Sequence, residues 1–255
     1  MAYPCGFTAA RVLKGLLACV AFLACVSAQA ALVVVPNALA DVEGNTNNSI
    51  PFDLDDIFGP TRYQQVFAAS QFSAGASLIT QIAFRPDSTF GFAFSSTLPN
   101  IQINLSTTAA GPDTLSPVFA LNVGANDQIV FSGALALSSD DAPGPGDTRA
   151  FDIVINLTTP FLFNPGAGNL LLDVRNAGRG STTSFDAHNE GGDSVSRAFS
   201  TSGVNSLIAD QVDTLGLVAQ FTFAQAAQAP EPISLALIAL GLAGLGWSRR
   251  RSVWW

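Results

Sequence analysis

The chain has 255 residues, 48% of them apolar and only 12% charged, with a formal net charge of −8. That length suits one β domain better than two independent cores, and the composition excludes a disordered or strongly basic protein. All three cysteines (Cys5, Cys19, Cys25) lie in the first 25 residues and all three tryptophans (Trp247, Trp254, Trp255) in the last nine, so the ends and the middle are different kinds of sequence.

At the N-terminus, Arg11 and Lys14 precede an apolar run from Leu16 to Val26, and Ser27-Ala28-Gln29-Ala30-Ala31 follows. A basic region, an apolar core and an A-x-A site in that order read as a secretory signal peptide covering residues 1–30. Cleavage after Ala30 removes every cysteine, so no disulfide framework survives and the body is held by packing. A competing reading takes Leu16-Leu17-Ala18-Cys19 or Phe22-Leu23-Ala24-Cys25 as a lipoprotein box, but Cys19 leaves little apolar core before it and Phe22 fits poorly.

Between Ala31 and Ala229 stand 18 acids against six arginines, a net charge of −12, with no Lys, Cys, Met or Trp. Such a field repels nucleic acid and anionic membrane surfaces and concentrates divalent cations. Nucleic-acid binding is excluded, amine and thiol chemistry have no side chain to act through, and the missing thiols and thioethers suit an oxidising exterior.

The body reads as strands. Ile101, Ile103 and Leu105 alternate with Gln102 and Asn104, and Phe151, Ile153, Ile155 and Leu157 alternate with Asp152, Val154 and Asn156, the period of a half-buried strand. Similar runs stand at residues 32–35, 62–68, 78–84, 128–137, 169–174 and 215–223. Turn formers such as Ala142-Pro143-Gly144-Pro145-Gly146-Asp147 separate them. With no helix long enough for a βαβ crossover, these predict an all-β fold over residues 31–229, two packed antiparallel sheets in a β-sandwich or jelly roll with a phenylalanine-rich core.

Three acidic groupings could supply oxygens to a metal, one of them Asp140, Asp141 and Asp147, and two are the preferred candidates. Asp53, Asp55 and Asp56 offer closely spaced hard oxygens of the kind a structural calcium takes, although Leu54 and Ile57 suggest that part of the segment packs inward. Asp186, His188 and Glu190 share one face if their segment is extended, with Asp193 just beyond, which would bring carboxylates and an imidazole together. His188 is the only histidine in the chain, so zinc and iron sites that need two are ruled out. A Ser-His-Asp set with Ser184 or Ser194 is arithmetically open, but no G-x-S-x-G elbow accompanies it. The plainer reading of this segment is a polar loop between strands. No residue is assigned a catalytic role, and the chain is expected not to be an enzyme.

At the other end, Pro230-Glu231-Pro232 leads into an uncharged stretch, residues 233–247, and then Arg249-Arg250-Arg251. As a helix, that stretch spans roughly 22 Å against a hydrocarbon core of about 30 Å, adequate for a temporary stop and marginal as a permanent anchor. The arginines would hold the tail on the cytoplasmic side and leave Pro230-Glu231-Pro232 just outside the membrane. These residues, with Ser234-Leu235-Ala236-Leu237 and the glycine-spaced apolar run, resemble the PEP-CTERM sorting signal, over residues 230–255. The final Ser252-Val253-Trp254-Trp255 departs from that family's usual basic ending, and an ordinary C-terminal anchor is the plainer alternative.

The resemblance implies an exporting Gram-negative bacterium whose exosortase cuts near the Pro-Glu-Pro motif, transient residence in the inner membrane, and a cell-surface or matrix destination in an exopolysaccharide or biofilm setting. The body also resembles uncharacterised β-rich ectodomains that travel with this tail, through stretches such as Tyr63-Gln64-Gln65-Val66-Phe67 and Ile82-Ala83-Phe84-Arg85-Pro86-Asp87, which implies a shared fold and no activity. The expectation is a structural or weakly adhesive surface component, with exopolysaccharide as partner. A calcium-dependent carbohydrate-binding module and a hydrolase built around His188 are the alternatives.

Overall fold

The computed structural model describes residues 30–54, 59–178 and 180–224. The expected signal peptide up to residue 29, Asp55 and Asp56, and the tail with Pro230, Glu231, Pro232, the apolar stretch 233–247 and Arg249, Arg250 and Arg251 lie outside the described residues.

Two antiparallel sheets carry the domain. One has four strands in the order β1 (Ala31–Val35), β13 (Ala219–Ala224), β4 (Ser77–Phe84) and β7 (Ile153–Phe163). The other has six, in the order β11 (Gln211–Asp213), β10 (Val195–Ser200), β3 (Thr61–Phe67), β8 (Asn169–Asn176), β5 (Phe94–Thr108) and β6 (Gln128–Ser139). A short third sheet is made of β12 (Leu215–Leu217), β9 (Phe185–Asn189) and β2 (Thr46–Asn48).

Alternation drives the packing, as the sequence predicts. Ile79, Ile82, Phe84, Ile155, Phe163 and Phe221 of the four-stranded sheet share one buried cluster with Tyr63, Phe67, Ile103, Leu105, Leu172 and Val174 of the six-stranded sheet, which makes a sandwich. Phe72 is an aromatic hub, its ring centroid 5.0 Å from Phe163, 5.5 Å from Phe221 and 6.0 Å from Phe223. Each fully buried ring of this kind contributes about 1.5–3 kcal/mol by leaving water. Strand β3 departs from simple alternation because both of its faces are covered. Tyr63 and Phe67 join the main core, whereas Val66 packs with Leu115, Phe119, Leu171 and Ala198 in a second cluster.

Register decides which loops meet. Ala31 pairs with Phe223, so the first and last described strands begin and end side by side. At the opposite end of the same sheet, Val35 and Phe84 both pair with Ala219, and Phe84 pairs with Ile153. The segments after β1 and β4 and the one before β7 therefore emerge together, away from the chain ends.

Candidate functional site

The far end of the sandwich is organised around Arg85, the first residue past β4, whose side chain is fully buried. A buried guanidinium is tolerated only when its donors are met. Arg85 Nε donates to Asp186 Oδ2 at 2.7 Å, and its Nη2 lies 2.6 Å from the same oxygen. The remaining donors reach the carbonyls of Leu39 (3.0 Å), Ala40 (3.3 Å) and Val42 (2.7 Å), and the guanidinium carbon sits 4.9 Å from the Phe151 ring centroid. One cation thus fastens the segment after β1 to the end of β4 and to β9.

Two more carboxylates converge there. Oxygens of Glu43, Asp87 and Asp186 all lie within 4.8 Å of one another. Asp186 Oδ1 accepts from Gly44 N at 2.9 Å, and Glu43 Oε1 accepts from Ser88 N at 2.7 Å. Asp87 Oδ1 accepts from Thr89 N and Phe90 N at 2.9 and 2.7 Å, shaping a tight turn. Glycine is required at position 44, since a Cβ there would fall 2.0 Å from Ala187 O and 2.6 Å from Asp186 Oδ1. Burial pushes the Asp186 carboxyl up to about 6 despite the lowering influence of Arg85, and burial also raises Glu43. The cationic partner of Asp186 is a side chain of the protein, Arg85, whose charge also acts to lower Glu43.

The expected grouping of Asp186, His188, Glu190 and Asp193 divides in two. Strand β9 is indeed extended, but Asp186 is engaged with Arg85 and Gly44. His188 Nε2 instead lies 3.3 Å from Glu190 Oε2 and 4.0 Å from Asp193 Oδ2, while its Nδ1 is buried without a hydrogen-bond partner. No serine hydroxyl is hydrogen-bonded to the imidazole among the described residues. Burial raises Asp193, whose Oδ1 accepts from Val195 N at 2.8 Å. In the other expected grouping, Asp53 Oδ1 accepts from Thr182 N at 3.1 Å and Leu54 is buried, as its inward packing requires.

Sequence reasoning missed Arg85, Glu43 and Asp87 as partners of Asp186. It also missed two further pairs, the buried Arg62 with Asp173 at 2.7 Å and the partly buried Arg197 with Asp213 at 2.8 Å. The available signal was the rarity of charge in the body, which makes any arginine inside an apolar run, as in Phe84-Arg85-Pro86, a candidate for a buried pair.

The tail is decided by comparison with known families. Residues 228–251 match the PEP-CTERM protein-sorting motif. The chain is an exported protein sorted through exosortase, with a cell-surface or extracellular destination. The PEP-CTERM match covers the Pro-Glu-Pro triplet and the arginine cluster, and begins four positions after the last residue of β13. It covers none of the sandwich, so it assigns the body no activity. No curated protein matches the chain.

Proposed function

We propose that this exported protein is a non-catalytic surface component of a Gram-negative bacterium, displaying its β-sandwich in an exopolysaccharide matrix as a structural and weakly adhesive element. A signal peptide over residues 1–30 starts its export, and the apolar stretch 233–247 holds it briefly in the inner membrane until exosortase acts.

One observation carries the adhesive part. Phe90 and Phe92, 63% and 52% accessible, are the only exposed phenylalanines among the described residues, the others being buried or half-buried. They follow the turn fixed by Asp87 at the far end of the sandwich, where the backbone of Phe92 is also held, its N–H donating to Thr183 Oγ1 at 2.9 Å. Flat apolar rings beside carboxylates and backbone amides suit the mixed apolar and hydroxyl surface of a sugar chain.

Co-sedimentation of the purified protein with the producing organism's exopolysaccharide tests this. Wild type should sediment with the polymer in calcium and in chelator alike, and a Phe90→Ala/Phe92→Ala double variant should lose most of that binding while melting normally. Binding unchanged in the double variant would overturn the reading. Binding in calcium alone would point to a metal-dependent lectin, and release of reducing ends that disappears in His188→Ala would point to a hydrolase. N-terminal sequencing of the secreted form should read from Ala31.

A further inference from the structure

Four charges meet at the far end of the sandwich: the guanidinium of Arg85 and the carboxylates of Glu43, Asp87 and Asp186. Fully ionised, they leave two negative charges in excess, with Asp186 wholly buried and Asp87 nearly so. Asp186 and Glu43 each hold backbone from another segment, through Gly44 N and Ser88 N, and Asp87 holds its own turn through Thr89 N and Phe90 N. The charge state of the cluster is therefore coupled mechanically to the loops that surround it. Glu43 Oε2 is buried without a hydrogen-bond partner, so it can receive a proton without giving up an existing bond.

We infer that Glu43, Asp87 and Asp186 form, around Arg85, a proton-operated latch that tightens this end of the sandwich in mild acid and eases it toward neutrality. The charged groups facing the cluster come from every adjoining element: Glu43 from the segment after β1, Arg85 and Asp87 from the end of β4, Asp186 from β9, and Arg149 from the segment before β7. Arg149 donates to Ser88 O at 3.3 Å and pairs with Asp141 at 3.0 Å, so its charge is already matched. His188, two positions along β9, faces Glu190 and Asp193 instead.

The sign follows from the direction of the shifts. The folded chain holds a proton on Asp186 up to about pH 6, whereas the unfolded carboxyl releases it near 3.8. In that window the folded state binds more protons than the unfolded one, so stability rises as the pH falls through about 6 and the gain is complete below the unfolded value. Burial raises Glu43 in the same direction.

Thermal melting and amide hydrogen exchange of the purified protein at about pH 5.5 and pH 7.5 test the latch. After correction for intrinsic exchange, the Gly44 and Ser88 amides should be about fourfold better protected at the lower pH in wild type. Glu43→Gln retains the Oε1 acceptor and mimics the protonated acid, so at pH 7.5 it should already show most of the protection seen in wild type at the lower pH. Asp193 is shifted in the same direction as Asp186, so the difference between wild type and Glu43→Gln, not the wild-type curve alone, is the readout. Should Glu43→Gln fail to fold, Asp87→Asn serves as the second variant, with the same reduced pH dependence expected. Protection of Gly44 and Ser88 that is unchanged or falls toward acid would overturn the inference, as would an unaltered pH dependence in the variant. If calcium chloride at pH 7.5 reproduces the protection and a chelator removes it, the cluster is a cation site and the latch is wrong.

Discussion

Strand β9 carries two titratable side chains only two residues apart, Asp186 and His188, and they differ in how they are met. Asp186 is fully buried against a guanidinium whose three nitrogens are all hydrogen-bonded, whereas His188 meets a mostly exposed Glu190 and keeps a buried Nδ1 unbonded. Burial makes the first group expensive to disturb and leaves the second close to an ordinary surface contact. The same local sequence thus supplies a structural anchor and a weakly constrained polar edge, and which is which depends on residues more than 100 positions away.

That contrast can be broken or sharpened in steps. Arg85→Met should be most damaging, since it strips the bonds to three carbonyls and leaves Asp186 buried without its partner; urea unfolding should show a loss of about 3–5 kcal/mol. A loss below about 1 kcal/mol would mean the two groups do not differ in kind. Asp186→Asn should cost somewhat less, about 2–4 kcal/mol near pH 7. The deficit should widen as the pH is lowered through about 6, because wild type gains a proton there and the variant cannot, which unfolding midpoints across that range would show. His188→Ala should lower stability by about 1 kcal/mol or less and leave the amount secreted unchanged on immunoblotting. Glu190→Gln should stay within about 0.5 kcal/mol of wild type in the same titration; a larger loss would show that its contact with His188 is structural.

Much of the architecture was legible in the sequence because alternation reports burial directly. The predicted runs at residues 32–35, 62–68, 78–84, 128–137 and 169–174 fall on β1, β3, β4, β6 and β8, and the run at 215–223 resolves into β12 and β13. Strands β2, β9, β10 and β11 were not legible, since residues such as Asn47, Asn48, His188, Asn189, Ser196 and Arg197 carry no apolar period. Their polar side chains are met by partners instead: Arg197 of β10 is bonded to Asp213 and to Asn48 of β2, and Asp186 of β9 to Arg85. The site was least legible because its members come from three separate segments and converge only through sheet register. The tail is the opposite case, since its signal is a linear string read directly from residues 228–251.

The pairing of Ala31 with Phe223 has a mechanical consequence. Strand β13 lies between β1 and β4, hydrogen-bonded to both, and leads into the sorting tail. A pull transmitted from the tail runs along the strand axis, while the ladder bonds on both sides lie across it. Load applied in this direction shears two ladders at once instead of opening one bond after another from an edge. Tension entering from the C-terminus is thereby directed along β13 and shared between the ladders to β1 and β4.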